Sequence, residues 1–178
     1  SGWFLVLWII GVFATELVIV WSTTCARKVP NNYILLFTFT FFESMIVASI
    51  CAAVRDSFIV LVAAVMTSAI VAVLTIYAFK TKRDFTMFGS VIWMFLAALI
   101  LAGLFMIIFQ SRIMHIIYWA AAVILFGFIL VVDVQMIQGK GEYGLSGDDY
   151  IIGALMIYID IITIFIQILS LLAEMRGD

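Results

Sequence analysis

The chain has 178 residues, of which 67% are hydrophobic and only 11% charged, and its mean hydropathy is +1.30. An ordinary soluble domain carries about 25% charged residues, so this composition excludes that class and indicates an integral membrane protein. The net charge of -2 argues against a nucleic-acid partner, because no basic stripe is present to neutralise phosphates.

Six apolar segments follow one another along the chain. A hydrocarbon core of about 30 Å needs roughly 20 apolar residues per crossing helix. Each segment is about twice as long as the roughly 10 residues of a barrel strand, and none alternates polar with apolar side chains. The pattern predicts an all-α membrane protein with one transmembrane helical domain, residues 1–178. The predicted spans are 3–21, 33–54, 58–79, 85–109, 116–137 and 150–172.

The basic residues of the loops predict how the helices are oriented. Loops on one side carry six of them, which are Arg27, Lys28, Lys80, Lys82, Arg83 and Lys140. The other side carries three, which are Arg55, Arg112 and Arg176. We expect the richer side to face the cytoplasm or its topological equivalent. Both ends of a six-span chain would then face the lumen or exterior, so we also expect that a preceding helix is missing.

Four acidic residues lie inside the apolar segments, namely Glu16, Glu43, Asp133 and Asp160. Each costs on the order of 3 kcal/mol in a membrane helix, which makes each a candidate for function. The alternative is a carboxyl near a helix end, or one that stays protonated and hydrogen-bonded inside the bundle. Glu16 lies near a loop and fits this alternative better, whereas Glu43 fits both interpretations.

Asp133 and Asp160 form a pair because their segments flank the same loop and should run antiparallel. Asp133 lies six residues before Gly139, roughly 9 Å of helix rise, and Asp160 lies ten residues after Tyr150, roughly 15 Å. Both therefore reach intermediate depth from the same side. Two carboxylates close together in a poorly solvated site cannot both ionise cheaply, and they titrate as a unit. The spacing predicts a pH-sensing pair that, when ionised, also suits calcium.

Enzymatic uses of these residues fit the sequence poorly. Presenilin-like aspartyl proteases use Tyr-Asp and Gly-x-Gly-Asp, whereas Asp133 follows Val132 and no glycine directly precedes Asp160. GLSGD at 144–148 contains Gly-x-Ser-Gly, but it lies in a hydrophilic loop, and the single histidine, His115, is expected at the opposite membrane face. We predict that the chain is not an enzyme and uses no cofactor, with calcium as a permeant or bound ion.

Several stretches match one known family in order and spacing. They are PNNYILL at 30–36 with the later Glu43, FKTKRDFT at 79–86, DVQ at 133–135, and residues 148–165 with the core IYIDII. These resemble a helix opening, the Thr-Lys-x-Asp-Phe-Thr loop, the Asp-Thr-Gln motif and the last helix of the Bax inhibitor-1/lifeguard family. The resemblance is greatest for the lifeguard and Golgi-associated branches of these transmembrane Bax inhibitor motif proteins.

The resemblance implies a bundle of six visible helices packed around a central last helix. These correspond to family helices two to seven, with the first absent. It also implies a calcium leak across an internal or bacterial membrane, gated by pH, and restraint of stress-induced cell death. By position, Asp133 and Asp160 would be the pH-sensing pair, and Glu43 is the further candidate for lining the ion path.

Three departures from the family pattern bear on this expectation. Val134 replaces the usual threonine, Gly147 stands where many relatives have proline, and the first helix is absent. The alternative function is a non-conducting accessory subunit of a larger membrane complex, whose other subunits cover the gap. The acidic loop at 139–149, with Glu142, would then be a contact site or a solvated turn.

The expected partners are membrane lipid and calcium ions. The sequence does not identify the membrane. We expect the endoplasmic reticulum or Golgi, with the mitochondrial inner membrane or plasma membrane as alternatives.

Overall fold

A computed structural model describes residues 2–21, 28–54, 56–109, 111–141 and 144–177. Arg27 and Arg55, which enter the loop charge count, lie outside the described residues, as does Glu142 of the acidic loop. The side chain of Asp148 is not described either.

The described residues form six α-helices and two short 3-10 turns, without any strand. The 3-10 turns, Thr86–Phe88 and Gly147–Asp149, lead into the fourth and sixth helices. In chain order the helices are α1 (Gly2–Trp21), α2 (Asn31–Ala53), α3 (Ser57–Lys80), α4 (Gly89–Ile108), α5 (Arg112–Ile137) and α6 (Tyr150–Arg176). The prediction of an all-α protein is confirmed.

Five helices, α2 to α6, are long and apolar enough to cross a membrane, and α1 holds a shorter apolar stretch, Val6–Val18. The predicted spans agree with the helices to within two residues except at three ends. α4 begins at Gly89 rather than 85, because the 3-10 turn Thr86–Phe88 precedes it. α5 begins at Arg112 rather than 116, and α6 continues to Arg176 rather than 172. Both extra turns carry charged residues, so apolar content locates the crossing segment but underestimates the helix.

The chain divides into two compact units. The first comprises residues 1–53 and 145–156. In it, the Phe42 ring lies against Gly11 of α1, so closely that a Cβ at Gly11 would come within 2.7 Å of the ring. The buried Asn32 of α2 donates a 2.8 Å hydrogen bond from Nδ2 to the Tyr150 hydroxyl. The single-domain expectation stays a prediction.

The second unit comprises residues 54–144 and 157–178. In it, α5 packs against both α3 and α4. Its core combines Leu130 of α5 with Ile164, Ile168 and Leu169 of α6, all nearly inaccessible to solvent. Among the five spanning helices α6 has the largest buried share, and α4 has no buried residue.

Contacts made by basic side chains group the loops of the second unit into two ends. At one end, Lys140 Nζ donates to the Thr81 carbonyl at 3.2 Å. At the other, Arg112 donates to the carbonyls of Glu174 (2.9 Å) and Met175 (2.6 Å). Arg176 also pairs there with Asp56. This is the grouping used in the loop charge count, and which end faces the cytoplasm stays a prediction.

We expect Arg112→Ala to loosen the last turn of α6. The last four carbonyls of a helix have no partner within it, and Arg112 satisfies two of them. Because the contact is exposed, the global loss should be about 1 kcal/mol or less. Hydrogen exchange of the amides in 171–176 should nevertheless accelerate several-fold. Lys82→Ala, which removes an exposed basic side chain in the α3–α4 loop, is the control, and equal protection in both variants would contradict the prediction.

Candidate functional site: a carboxyl pair beside a braced loop

Asp133 of α5 and Asp160 of α6 lie side by side in the second unit. Their carboxyl groups are within hydrogen-bonding range of each other. Asp160 is only 3% exposed, whereas Asp133 is partly exposed. Oδ2 of Asp160 is buried and has no hydrogen-bond partner among the described residues. Because an unpartnered buried polar atom is costly, the pair has unused capacity for a proton, a water or a cation.

Buried apolar residues lie near the pair in sequence on the same two helices. Leu130 and Val134 flank Asp133 along α5, and Ile164 follows Asp160 by one turn of α6. All three are at most 5% exposed. Val134, whose side chain is 5% exposed, adds an apolar residue directly after Asp133. When both carboxyl groups are ionised, their negative charges repel each other strongly, because little water screens them.

Gln135, two residues after Asp133, fastens the α3–α4 connection to α5. Its side chain is fully buried. Oε1 accepts a 2.8 Å hydrogen bond from the Phe85 amide, and Nε2 donates a 2.8 Å bond to the Arg83 carbonyl. The Asp-Val-Gln motif therefore combines a titratable group with a bracing amide. The sequence pattern predicted no role for Gln135, although a polar amide within an apolar segment is a signal that could have indicated one.

The braced loop is also ordered from within. Asp84 Oδ1 accepts hydrogen bonds from the Thr86 hydroxyl (2.6 Å) and the Thr86 amide (2.9 Å). The hydroxyl first, and then the amide, holds the pKa of Asp84 below its ordinary value of 3.8. Gly141, at φ +76°, lies against Thr86 so closely that a Cβ would overlap its hydroxyl. Asp84 therefore stays ionised at neutral pH and anchors the start of the 3-10 turn.

Glu43, the third predicted site residue, lies on α2 in the first unit. It is partly buried, and its carboxyl is near enough to Glu16 of α1 to interact electrostatically. The structure thus brings Asp133 together with Asp160, and Glu43 together with Glu16. The proximity of the two glutamates was not predicted. A role for Glu43 in an ion path stays a prediction.

The residues considered for proteolysis have structural partners. The Ser146 hydroxyl donates a 2.6 Å hydrogen bond to Asp149 Oδ2, just before α6 begins. His115 lies in the first turn of α5, with Nδ1 3.4 Å from Glu174 Oε1. Among the described residues, no group of three or more His, Cys, Asp or Glu could hold a metal ion. Calcium binding by Asp133 and Asp160 would therefore need water or other oxygens to complete it, and it stays a prediction.

Residues 1–177 match the model of the Bax1-I family, described as inhibitor of apoptosis-promoting Bax1. The chain belongs to the Bax inhibitor-1 family. The resemblance drawn from the sequence stretches, residues 30–36 through 148–165, is thereby confirmed.

Relatives of this Bax inhibitor-1 chain include mouse and human proteins. Protein lifeguard 4 of Mus musculus is 35% identical over 166 residues, covering 92% of this chain and 68% of the mouse protein. Protein lifeguard 3 of Homo sapiens is 33% identical, covering 83% of this chain and 49% of the human protein. An uncharacterized protein of Campylobacter jejuni is 31% identical, with 85% and 65% covered. The chain thus spans about half to two thirds of the length of these relatives.

Several apolar helices and membership of the Bax inhibitor-1 family together indicate an integral membrane protein. The compartment expected from the sequence stays a prediction. The activity of the longer relatives does not transfer to this chain by membership alone.

Proposed function

We propose that this chain is a pH-sensitive calcium leak channel gated by Asp133 and Asp160. The observation that carries the proposal is the pair of carboxyl groups facing each other across α5 and α6 in an apolar shell. The family description, inhibitor of apoptosis-promoting Bax1, supports a role in restraining cell death. Calcium homeostasis would link the two.

The gate works through one shared proton. With the proton in place, a hydrogen bond joins the two carboxyl groups and holds α5 against α6. Loss of the proton leaves two like charges in a poorly screened site, which favours separation of the helices. The same two carboxylates then offer hard oxygen ligands to an entering cation. Protons therefore favour the closed state, and calcium competes with them for the open one.

We expect the purified chain to conduct calcium into liposomes, with flux rising between pH 5 and pH 8. The measurement is the entry of calcium reported by a trapped dye, at matched calcium gradients. Protein-free liposomes supply the background. A leak that does not vary with pH would contradict the gate. A silent preparation of normal helicity would contradict the channel itself.

A second candidate function, that of a non-conducting accessory subunit, is favoured by the exposure of α4. None of its residues is buried, and it exposes large side chains such as Trp93, Met94 and Phe95. A partner helix could cover this face, as lipid also could. An accessory subunit should aggregate when purified alone and become monodisperse with its partners. A channel should be monodisperse in detergent by itself.

A further inference from the structure

Three polar side chains follow one face of α6 from the carboxyl pair towards the C-terminal end of the helix. They are Asp160, Gln167 and Glu174, spaced seven residues apart. Seven residues make almost two turns, so each is displaced by only about 20° from the one before and by about 10 Å along the axis. All three belong to the second unit.

Gln167 is buried in a way that needs an explanation. It is only 6% exposed, and Oε1 has no hydrogen-bond partner among the described residues. Its neighbours Ile164, Ile168 and Leu169 are at most 1% exposed. Native proteins leave few buried polar atoms unpaired, and those that exist commonly reflect function or an unseen ligand. An apolar side chain would pack here without that cost, so the presence of an amide oxygen indicates that it binds a ligand.

The unpaired oxygens are concentrated along this face of α6. Three buried side-chain atoms lack a hydrogen-bond partner in the part of the chain that the structure describes. Two of them are Asp160 Oδ2 and Gln167 Oε1. The third, Gln138 Nε2, is a donor at the end of α5. The two acceptors therefore share one helix face, and acceptor oxygens are the ligands that calcium prefers.

We propose that Gln167 is a second coordination position for a hydrated divalent cation, between the carboxyl pair and the end of α6 at Glu174. This inference rests on the proposed channel function. A separation of about 10 Å is too long for one ion to contact both oxygens, so the ion passes stepwise from one to the next. Glu174, whose side chain is 28% exposed, marks the open end of the route, where His115 is its neighbour.

Weak binding is what such a route requires. An ion must be held well enough to enter and loosely enough to leave. Among the described residues no three-ligand cluster of His, Cys, Asp or Glu is formed. A single amide oxygen completed by water meets this requirement, because it carries no full charge to trap the ion.

Gln167→Met tests the proposal, because methionine keeps the length of the side chain and removes both polar atoms. Gln138→Met is the matched control. It makes the same change at a glutamine whose Nε2 is also buried without a partner among the described residues, five residues after Asp133 and therefore about 140° around α5 from it. Gln167→Glu is the second variant and keeps an oxygen at the site. Two properties are measured for each: the rise in Tm with added calcium chloride in detergent micelles, with magnesium chloride as reference, and calcium flux into liposomes at pH 8.

We expect Gln167→Met to raise the half-saturating calcium concentration about tenfold and to lower flux by a similar factor. Gln138→Met should match the wild type in both. Gln167→Glu should respond to calcium at least as strongly as the wild type. If Gln167→Met fails to fold, Gln167→Glu decides: a lower half-saturating concentration supports the site, and an unchanged one overturns it.

The outcomes separate this site from the channel. If the wild type conducts calcium, and Gln167→Met has the same flux and the same half-saturating calcium concentration, the coordination site is overturned. The channel proposal is then unaffected. A second outcome is that liposomes show no flux, while calcium raises the Tm in micelles through Gln167 and not through Gln138. That outcome supports the site and rejects the channel. The site is overturned if calcium does not raise the Tm of the wild type. It is also overturned if Gln167→Met and Gln138→Met weaken the calcium-induced rise in Tm equally.

Discussion

Asp160→Asn should abolish the rise of calcium flux between pH 5 and pH 8. Asparagine has the same shape as aspartate and can still hydrogen-bond Asp133, but it cannot release a proton. The latch between α5 and α6 therefore stays closed, and flux at pH 8 should fall to the level of the wild type at pH 5. A gate controlled by one proton changes its open fraction by at most about tenfold per pH unit. The expected loss at pH 8 is therefore tenfold or more.

Asp84→Asn is the matched control for this measurement. It makes the same chemical change in the exposed α3–α4 loop. Hydrogen bonds from Thr86 hold the pKa of Asp84 below its ordinary value of 3.8, so this group stays ionised throughout the measured range. Its substitution should lower flux slightly at most and leave the pH profile in place. A pH profile that survives Asp160→Asn unchanged would refute the carboxyl pair as the gate.

Gln135→Met should be the most destabilising of the glutamine substitutions considered for this chain. It removes a fully buried amide that makes two 2.8 Å hydrogen bonds to the α3–α4 connection. The Phe85 amide and the Arg83 carbonyl are then left without this partner, at a cost of roughly 2–3 kcal/mol in the free energy of unfolding. For a chain of this size that corresponds to a fall in Tm of roughly 5–10 °C. Thermal unfolding in detergent micelles measures it.

Gln138→Met serves as the control for stability as well. The Gln138 amide nitrogen is buried without a partner among the described residues, so its removal should leave Tm unchanged or raise it. Equal Tm values for Gln135→Met and Gln138→Met would show that the α3–α4 connection does not depend on the Gln135 amide. A selective loss in Gln135→Met would show that the loop and the helix carrying Asp133 are held together.

The spans were predictable because the tendency to enter a membrane is a local property. Transfer free energies add along a run of side chains, whatever lies opposite them. The helix ends were less predictable. Arg112 and Arg176 extend α5 and α6 beyond their apolar runs, and each contacts residues more than 60 positions away. Such contacts have no signature in the local pattern.

The two aspartates show how much of the candidate site could be predicted from the sequence. Their helices flank one loop, so simple helix rise placed Asp133 and Asp160 at similar depth. Their rotation about the helix axes, which decides whether the carboxyl groups meet, required the packed structure. The structure brings them within hydrogen-bonding range. Their function as a gate stays a prediction, as does the role of Glu43.

The sequence by itself determined the class of this protein, its spanning segments, its family and the aspartates worth testing. All of these depend on residue type, run length and spacing. Only the tertiary structure decided what the buried amides do. Gln135 and Asn32 bond to groups 50 and 118 residues away, and Gln167 is informative because its oxygen has no partner among the described residues. Whether a buried amide makes a hydrogen bond or stays unpaired depends on the group that faces it, and tertiary packing determines which group that is.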